Sequence, residues 1–142
     1  IYSFKISLTY SLKLLCWSRI TSRKYLFVER HIIYSKIRPN LNKVALPNFK
    51  GLCSADSYPL LPMDGVSNKF FIAYLLRSEC FVDFILQHST RTNIPKANKS
   101  QMKLFKGISP PVKIQNQFAE RVQAIEAQKL QPEENQTFLN LF

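Results

Sequence analysis

Glycine is scarce in this chain: Gly51, Gly65 and Gly107 are the three in 142 residues. They are too few and too scattered to build the glycine-rich loops that cradle phosphates in P-loop and dinucleotide-binding proteins, which argues against ATP hydrolysis or methyl transfer by the chain itself. Histidine is scarcer still. His31 sits among apolar, strand-forming residues and His88 at a helix end, far apart in sequence, and each reads as structural. Cys16, Cys53 and Cys80 are widely spaced, which suits neither a disulfide framework nor paired Cys-x-x-Cys zinc ligands and points to a reducing, cytoplasmic setting. No nucleophile with its base, no paired carboxylates and no metal-binding cluster can be assembled, so no enzymatic activity, cofactor or metal is expected.

Long apolar runs are missing too. Residues 6–17 contain Leu12-Lys13-Leu14-Leu15-Cys16, which imitates a signal peptide ending in a lipid-modified cysteine, but Lys13 interrupts the run and Trp17 is a poor cleavage neighbour. No window approaches the roughly 18 uninterrupted apolar residues of a membrane span, so no membrane partner is expected. The chain opens on Ile1 and not on Met, from which a fragment or an unusual start is expected.

Acidic residues are the next shortage: 9 Asp and Glu stand against 20 Lys and Arg, a net charge of +11. The imbalance is concentrated at the front. Residues 1–50 hold ten bases and the single acid Glu29, residues 51–106 seven bases and four acids, and residues 107–142 three bases and four acids. A basic body with a near-neutral tail fits a polyanion-binding unit joined to a segment that packs on protein, although composition alone suits membranes and acidic proteins as well as nucleic acid. With 46% apolar and 13% aromatic residues, the chain has material for a core.

Residues 25–28 and 31–37 are β-branched or aromatic, and Ile33, Ser35 and Ile37 alternate with Tyr34 and Lys36, a strand pattern. Arg38-Pro39-Asn40 stops it and residues 43–46 resume extended structure, giving a hairpin with a basic turn. Residues 52–55 and 58–61 read as further short strands of a small, irregular sheet. Asn68 can cap a helix over residues 69–77, with residues 79–87 forming a second helical piece or a continuation, and Phe71, Leu75, Phe81, Phe84 and Ile85 are the expected core face. Residues 89–100 are polar, basic and expected to form a surface loop, and residues 104–108 look extended. Pro110 and Pro111 suit a first helical turn, with Ser109 or Pro110 as the cap. Ile114, Phe118, Val122 and Ile125 then recur at spacings of four, four and three, a narrow seam suited to a helix–helix contact, and Pro132 should end or kink that helix near Gln131.

Two groups of residues carry recognition chemistry. Lys36, Arg38, Asn40, Asn42 and Lys43 fall in the basic turn, and Arg91, Thr92, Asn93, Lys96, Asn98 and Lys99 in the later loop. Arg and Lys can donate to guanine O6 and N7, Asn can pair bidentately with adenine, and the remaining donors can fix register through phosphates. For any one of these residues a solvated loop position is the commoner role. Ser109-Pro110-Pro111-Val112 superficially matches the catalytic motif of DNA amino-methyltransferases, but Ser109 replaces the acid or amide and Val112 the stacking aromatic.

Taken in order, a strand ending Ser35-Lys36-Ile37-Arg38-Pro39-Asn40, a later Ser54-Ala55-Asp56 with a proline-interrupted strand, an aromatic helix and the Pro110-Pro111-x-x-x-Gln115 helix start closely resemble the target-recognition domain of type I restriction-modification specificity subunits. The resemblance covers residues 20–129 and is strongest over residues 32–46, 92–103 and 110–115. Residues 1–19 match no part of it. Arg30-His31 stands where the family usually has a small residue and an acid, and the tail is shorter than a full spacer.

The resemblance implies an α+β recognition domain over residues 20–108 and a spacer, coiled-coil helix with its tail over residues 109–142, after an unmatched segment 1–19. It implies a non-catalytic subunit that reads one half of a bipartite site in double-stranded DNA. It also implies type I methyltransferase subunits as partners, restriction subunits joined through them, and helix pairing with another specificity chain through Ile114, Phe118, Val122 and Ile125. The alternative is a degenerate form that reads no sequence and modulates assembly as a protein-interaction module.

Overall fold

The computed structural model describes residues 10–11, 19–20, 24–89 and 95–139, with side chains over 24–89 and 95–129. Its elements follow the chain as β1 (Tyr10–Ser11), β2 (Arg19–Ile20), β3 (Lys24–Phe27), β4 (Ile32–Ser35), β5 (Val44–Ala45), β6 (Gly51–Ser54), β7 (Ser57–Leu60), α1 (Lys69–Arg77), α2 (Glu79–Gln87), α3 (Lys99–Leu104), β8 (Lys106–Gly107) and α4 (Val112–Leu139). The class is α+β, with every strand pair antiparallel.

The expected single sheet is divided into a three-stranded sheet β2-β3-β6, a second one β5-β4-β7, and the pair β1-β8. The chain passes from the first sheet to the second at two tight turns. One is Val28 to His31, closed by the His31 N–H on the Val28 carbonyl at 2.9 Å. The other is Ala55-Asp56, where the Asp56 N–H donates to Ser54 Oγ at 3.1 Å. Pro59 opposes Ile33 within β7, which is tolerated because β7 is an edge strand and its missing donor interrupts no further ladder.

The core lies between the second sheet and the helices. Ile32, Tyr34, Val44, Tyr58 and Leu60 from the sheet meet Ile72, Ala73 and Leu76 of α1, Phe81 and Ile85 of α2, and Ala97, Met102 and Phe105 beyond. Phe81 is its aromatic centre, edge-on to Tyr34 at 5.8 Å and to Phe105 at 4.9 Å between ring centroids. Of the expected core face, Phe81 and Ile85 are buried, whereas Phe71, Leu75 and Phe84 lie at its margin and Ile72, Ala73 and Leu76 take the centre. The reason is that α1 is apolar nearly all round and serves two neighbours. Its Phe71 and Tyr74 rings face Phe118 of α4, at 5.8 and 5.4 Å.

Ser78 separates α1 from α2: its hydroxyl donates to the Leu75 carbonyl at 2.7 Å and accepts from the Phe81 N–H at 3.3 Å. The expected loop over residues 89–100 is shorter than anticipated. Lys99 already begins α3, where the Asn98 N–H donates to Gln101 Oε1 at 3.0 Å, and Ala97 is fully buried. The Asn98-x-x-Gln101 spacing is a capping-box signal that marks this helix start.

Two further expectations are corrected in α4. The helix begins at Val112, with the Pro111 carbonyl accepting from the Ile114 and Gln115 N–H groups at 2.9 and 3.2 Å, so Pro111, and neither Ser109 nor Pro110, holds the cap position. It also continues through Pro132 to Leu139, so Pro132 does not end it near Gln131. A proline forfeits its own rung of the ladder, and the turns on either side carry the helix past it.

Candidate nucleic-acid interface

The hairpin between β4 and β5 turns through a 3-10 segment, Pro39–Leu41, flanked by two residues in left-handed backbone, Arg38 (φ 52, ψ 67) and Asn42 (φ 52, ψ 42). Asparagine tolerates that region; for arginine it is strained by about 1–2 kcal/mol relative to ordinary backbone. The fold holds both ends in place. The Arg38 N–H donates to the Pro95 carbonyl at 3.0 Å and the Arg38 carbonyl accepts from Leu41 at 2.9 Å. Asn42 Nδ2 donates to the Arg77 carbonyl at 2.7 Å, and the Arg77 guanidinium reaches back to the Val44 carbonyl.

The later basic segment is brought against this turn. Ile37 forms an antiparallel bridge with Lys96, and the Ala97 N–H donates to the Lys36 carbonyl at 2.9 Å. Lys36 Nζ lies 4.8 Å and Lys99 Nζ 5.6 Å from the centre of the Tyr58 ring, while Lys96 Nζ lies 4.0 Å from Asp56 Oδ1. Three ammonium groups therefore surround one ring and one carboxylate. Contacts of these kinds are each worth about 0.5–2 kcal/mol, the higher end where the ring is buried, as Tyr58 is, enough to bias where the lysines sit without neutralising the surface.

Of the residues singled out from the sequence, Arg38, Asn40 and Lys43 are exposed on the turn, and Lys36, Lys96 and Lys99 form the cluster beside it. Asn42 and Asn98 have structural work, on Arg77 and at the start of α3. Arg91, Thr92 and Asn93 lie outside the described residues. Tyr58, Asp56 and Arg77 are not among the contact residues expected from the sequence, although Asp56 falls in the Ser54-Ala55-Asp56 motif. The aromatic among bases and the acid next to a turn are weak signals, and neither is distinctive until the strands pair.

On α4, Phe118 packs on α1 and Val122 is buried, whereas Ile114 and Ile125 are 49% and 53% exposed. The packed face also holds Gln115 and Ala119. Gln115 is fully buried: its Oε1 accepts from the Asn68 N–H at 2.9 Å, and its Nε2 donates to the carbonyls of Pro110 at 2.8 Å and Val66 at 3.1 Å. The Pro110-Pro111-x-x-x-Gln115 spacing thereby gains a physical meaning, since it locks the start of α4 to the start of α1. Asn68 Nδ2 adds a bond to Asn116 Oδ1 at 2.9 Å.

His31 is buried in the Val28 turn, where its Nδ1 accepts from the Val28 N–H at 3.1 Å. Burial, helped by the charges of Arg30 and Lys69, pulls its pKa below the ordinary 6.5 against the opposing pull of the Val28 backbone. Lys69 ties two loops to α1 by donating to the carbonyls of Pro47, at 2.8 Å, and Glu29, and burial lowers its pKa. A shallow cleft of about 500 Å³ lies beside it, lined by Glu29, Arg30, Asp64, Asn68, Lys69 and Asn116. Arg30 pairs there with Asp64, so its charges are balanced internally, unlike those at Tyr58. Among the described residues no group of three or more His, Cys, Asp or Glu could hold a metal ion, and no helix is long and apolar enough to cross a membrane.

No protein-family model matches the chain. The chain is 35% identical over 106 residues to the specificity subunit of the type I restriction enzyme EcoDI of Escherichia coli, an alignment covering 75% of this chain and 23% of that protein. The chain thus spans about a quarter of the length of the relative it matches. Over these 106 residues, the chain is a homologue of part of a type I restriction enzyme specificity subunit.

Proposed function

We propose that this chain reads DNA sequence for a type I restriction-modification complex. Residues 20–108 form the recognition unit for one half of a bipartite site, and residues 109–142 are the helical spacer on which type I methyltransferase subunits dock. The chain performs no chemistry itself: methylation and cleavage belong to methyltransferase and restriction partners, in the cytoplasm where DNA is met. The observation that carries this reading is the Ile37–Lys96 bridge, which merges two basic segments into one surface bearing Lys36, Arg38, Lys43, Lys96 and Lys99. Such a surface combines phosphate anchors with side chains able to reach base edges.

The test is to purify the chain with a type I methyltransferase subunit and select from randomised duplex DNA at about 0.15 M salt, where phosphate-only binding is weakened. An enriched short motif supports the reading; co-purification with no enrichment refutes it.

One observation favours the assembly-module reading as the alternative. Ile114 and Ile125 are both exposed and lie three turns apart on one side of α4, so a helix of a partner chain can pack along them. In that case polar substitution of Ile114 and Ile125 abolishes co-purification, while charge reversal at Lys36, Lys96 and Lys99 leaves the complex and its effect unchanged.

A further inference from the structure

We propose that Arg38 is a base-reading residue of this surface, its guanidinium pairing with O6 and N7 of one guanine, and is not one of the phosphate anchors. The inference rests on the DNA-reading function proposed above and deepens it. Its first support is the backbone. Arg38 occupies left-handed φ,ψ, where glycine is unstrained and a long side chain contributes nothing to the conformation. Asn42 shares that region but is a residue type that tolerates it, and its side chain is used within the fold on Arg77. Arginine at position 38 meets neither condition, so the strain is explained by what the guanidinium does outside the fold.

The second support is direction. The Arg38 N–H is held by Pro95, its carbonyl by Leu41, and its neighbour Ile37 by Lys96. The stem of the side chain is therefore aimed before any partner arrives. The third is the contrast with the surrounding cations. Lys36 and Lys99 lie over the Tyr58 ring and Lys96 beside Asp56, whereas the exposed Arg38 side chain makes no ion pair or ring contact among the described residues. A planar fork on a fixed base suits the two acceptors of a guanine edge in the major groove; flexible ammonium groups suit phosphates.

The experiment uses the full chain together with its methyltransferase subunit, first in selection from randomised duplex DNA, then in binding to the selected sequence and its single-pair variants. Arg38→Gly, Arg38→Ala and Arg38→Lys are compared with the unaltered protein. The unaltered protein should reject replacement of one G·C pair by about ten- to a hundredfold. All three variants should lose that discrimination at that pair alone and keep the rest of the motif. Arg38→Gly should melt no lower than the unaltered protein, because relief of the left-handed strain offsets glycine's greater freedom in the unfolded chain. Discrimination that survives in Arg38→Gly, or a uniform loss across all sequences in every variant, overturns this assignment and leaves the DNA-reading function standing. No enriched motif from the unaltered protein overturns both.

Discussion

Tyr34 carries a hydroxyl that the fold buries with no hydrogen-bond partner among the described residues. Its ring is fully enclosed against Phe81, and burial, with the Tyr58 hydroxyl nearby, pushes its pKa up to about 12. The ring supplies the packing while the oxygen loses its hydration for no return. Tyr34→Phe should therefore stabilise the protein, by up to about 1 kcal/mol; a lower urea midpoint in the variant would show that the hydroxyl has a partner after all. His31 gives the opposite kind of residue-scale prediction, because its burial favours the neutral ring. A depressed folded-state pKa means the unfolded chain binds the proton more readily. The His31 contribution is then fully present above pH 6.5 and is lost as pH falls through the lower folded value. Between pH 7.5 and pH 5.5 the unaltered protein should lose more stability than His31→Gln, and parallel losses in urea melts would refute the assignment.

At the scale of elements, Gln115 predicts how α4 is attached. Gln115→Leu keeps the volume but leaves the Asn68 N–H and the Val66 and Pro110 carbonyls without their partner. At about 1 kcal/mol per bond, the loss should approach ~3 kcal/mol. Gln115→Glu should be at least as damaging, since its carboxylate repels the two carbonyls; a midpoint shift under a third of that size would mean that α4 is held by Phe118 and Val122 alone. This same helix shows where the sequence was legible and where it was not. The apolar residues Ile114, Phe118, Val122 and Ile125 mark a helix correctly, but at 100° per residue the face actually packed, through Gln115, Phe118, Ala119 and Val122, is rotated by roughly 60° from their stripe. Hydropathy weights isoleucine over glutamine and alanine, and so misses a face closed by an amide and a small residue. The bounds of α1 were readable because Asn68 caps it directly, accepting from Phe70 at 2.9 Å. The two candidate contact segments were also readable as residue types. Their union was not, because the Ile37–Lys96 bridge is an isolated pairing between distant segments that no local pattern encodes.

For the molecule as a whole, the net charge of +11 predicts salt-sensitive binding, and the arrangement of that charge predicts how the sensitivity divides. Lys36, Lys96 and Lys99 converge on Tyr58 and Asp56, whereas Arg30 is spent on Asp64 and Arg77 on Val44. Each lysine that neutralises a phosphate releases counterions, contributing about 0.9 to the slope of log affinity against log salt concentration on duplex DNA. Replacing all three with glutamine should flatten that slope by about 2 to 3 and weaken selected and unselected sequences alike. Because the Tyr58 ring that two of these lysines cover is itself buried, the triple variant should also lose some stability, about 1 kcal/mol per ring contact. Arg30→Gln, in contrast, should flatten the slope less, since two acids, Glu29 and Asp64, share the cleft with Arg30. If the triple variant keeps the full slope, or if Arg30→Gln flattens it as strongly, the phosphate-binding face lies elsewhere and the cluster at Tyr58 serves the fold alone.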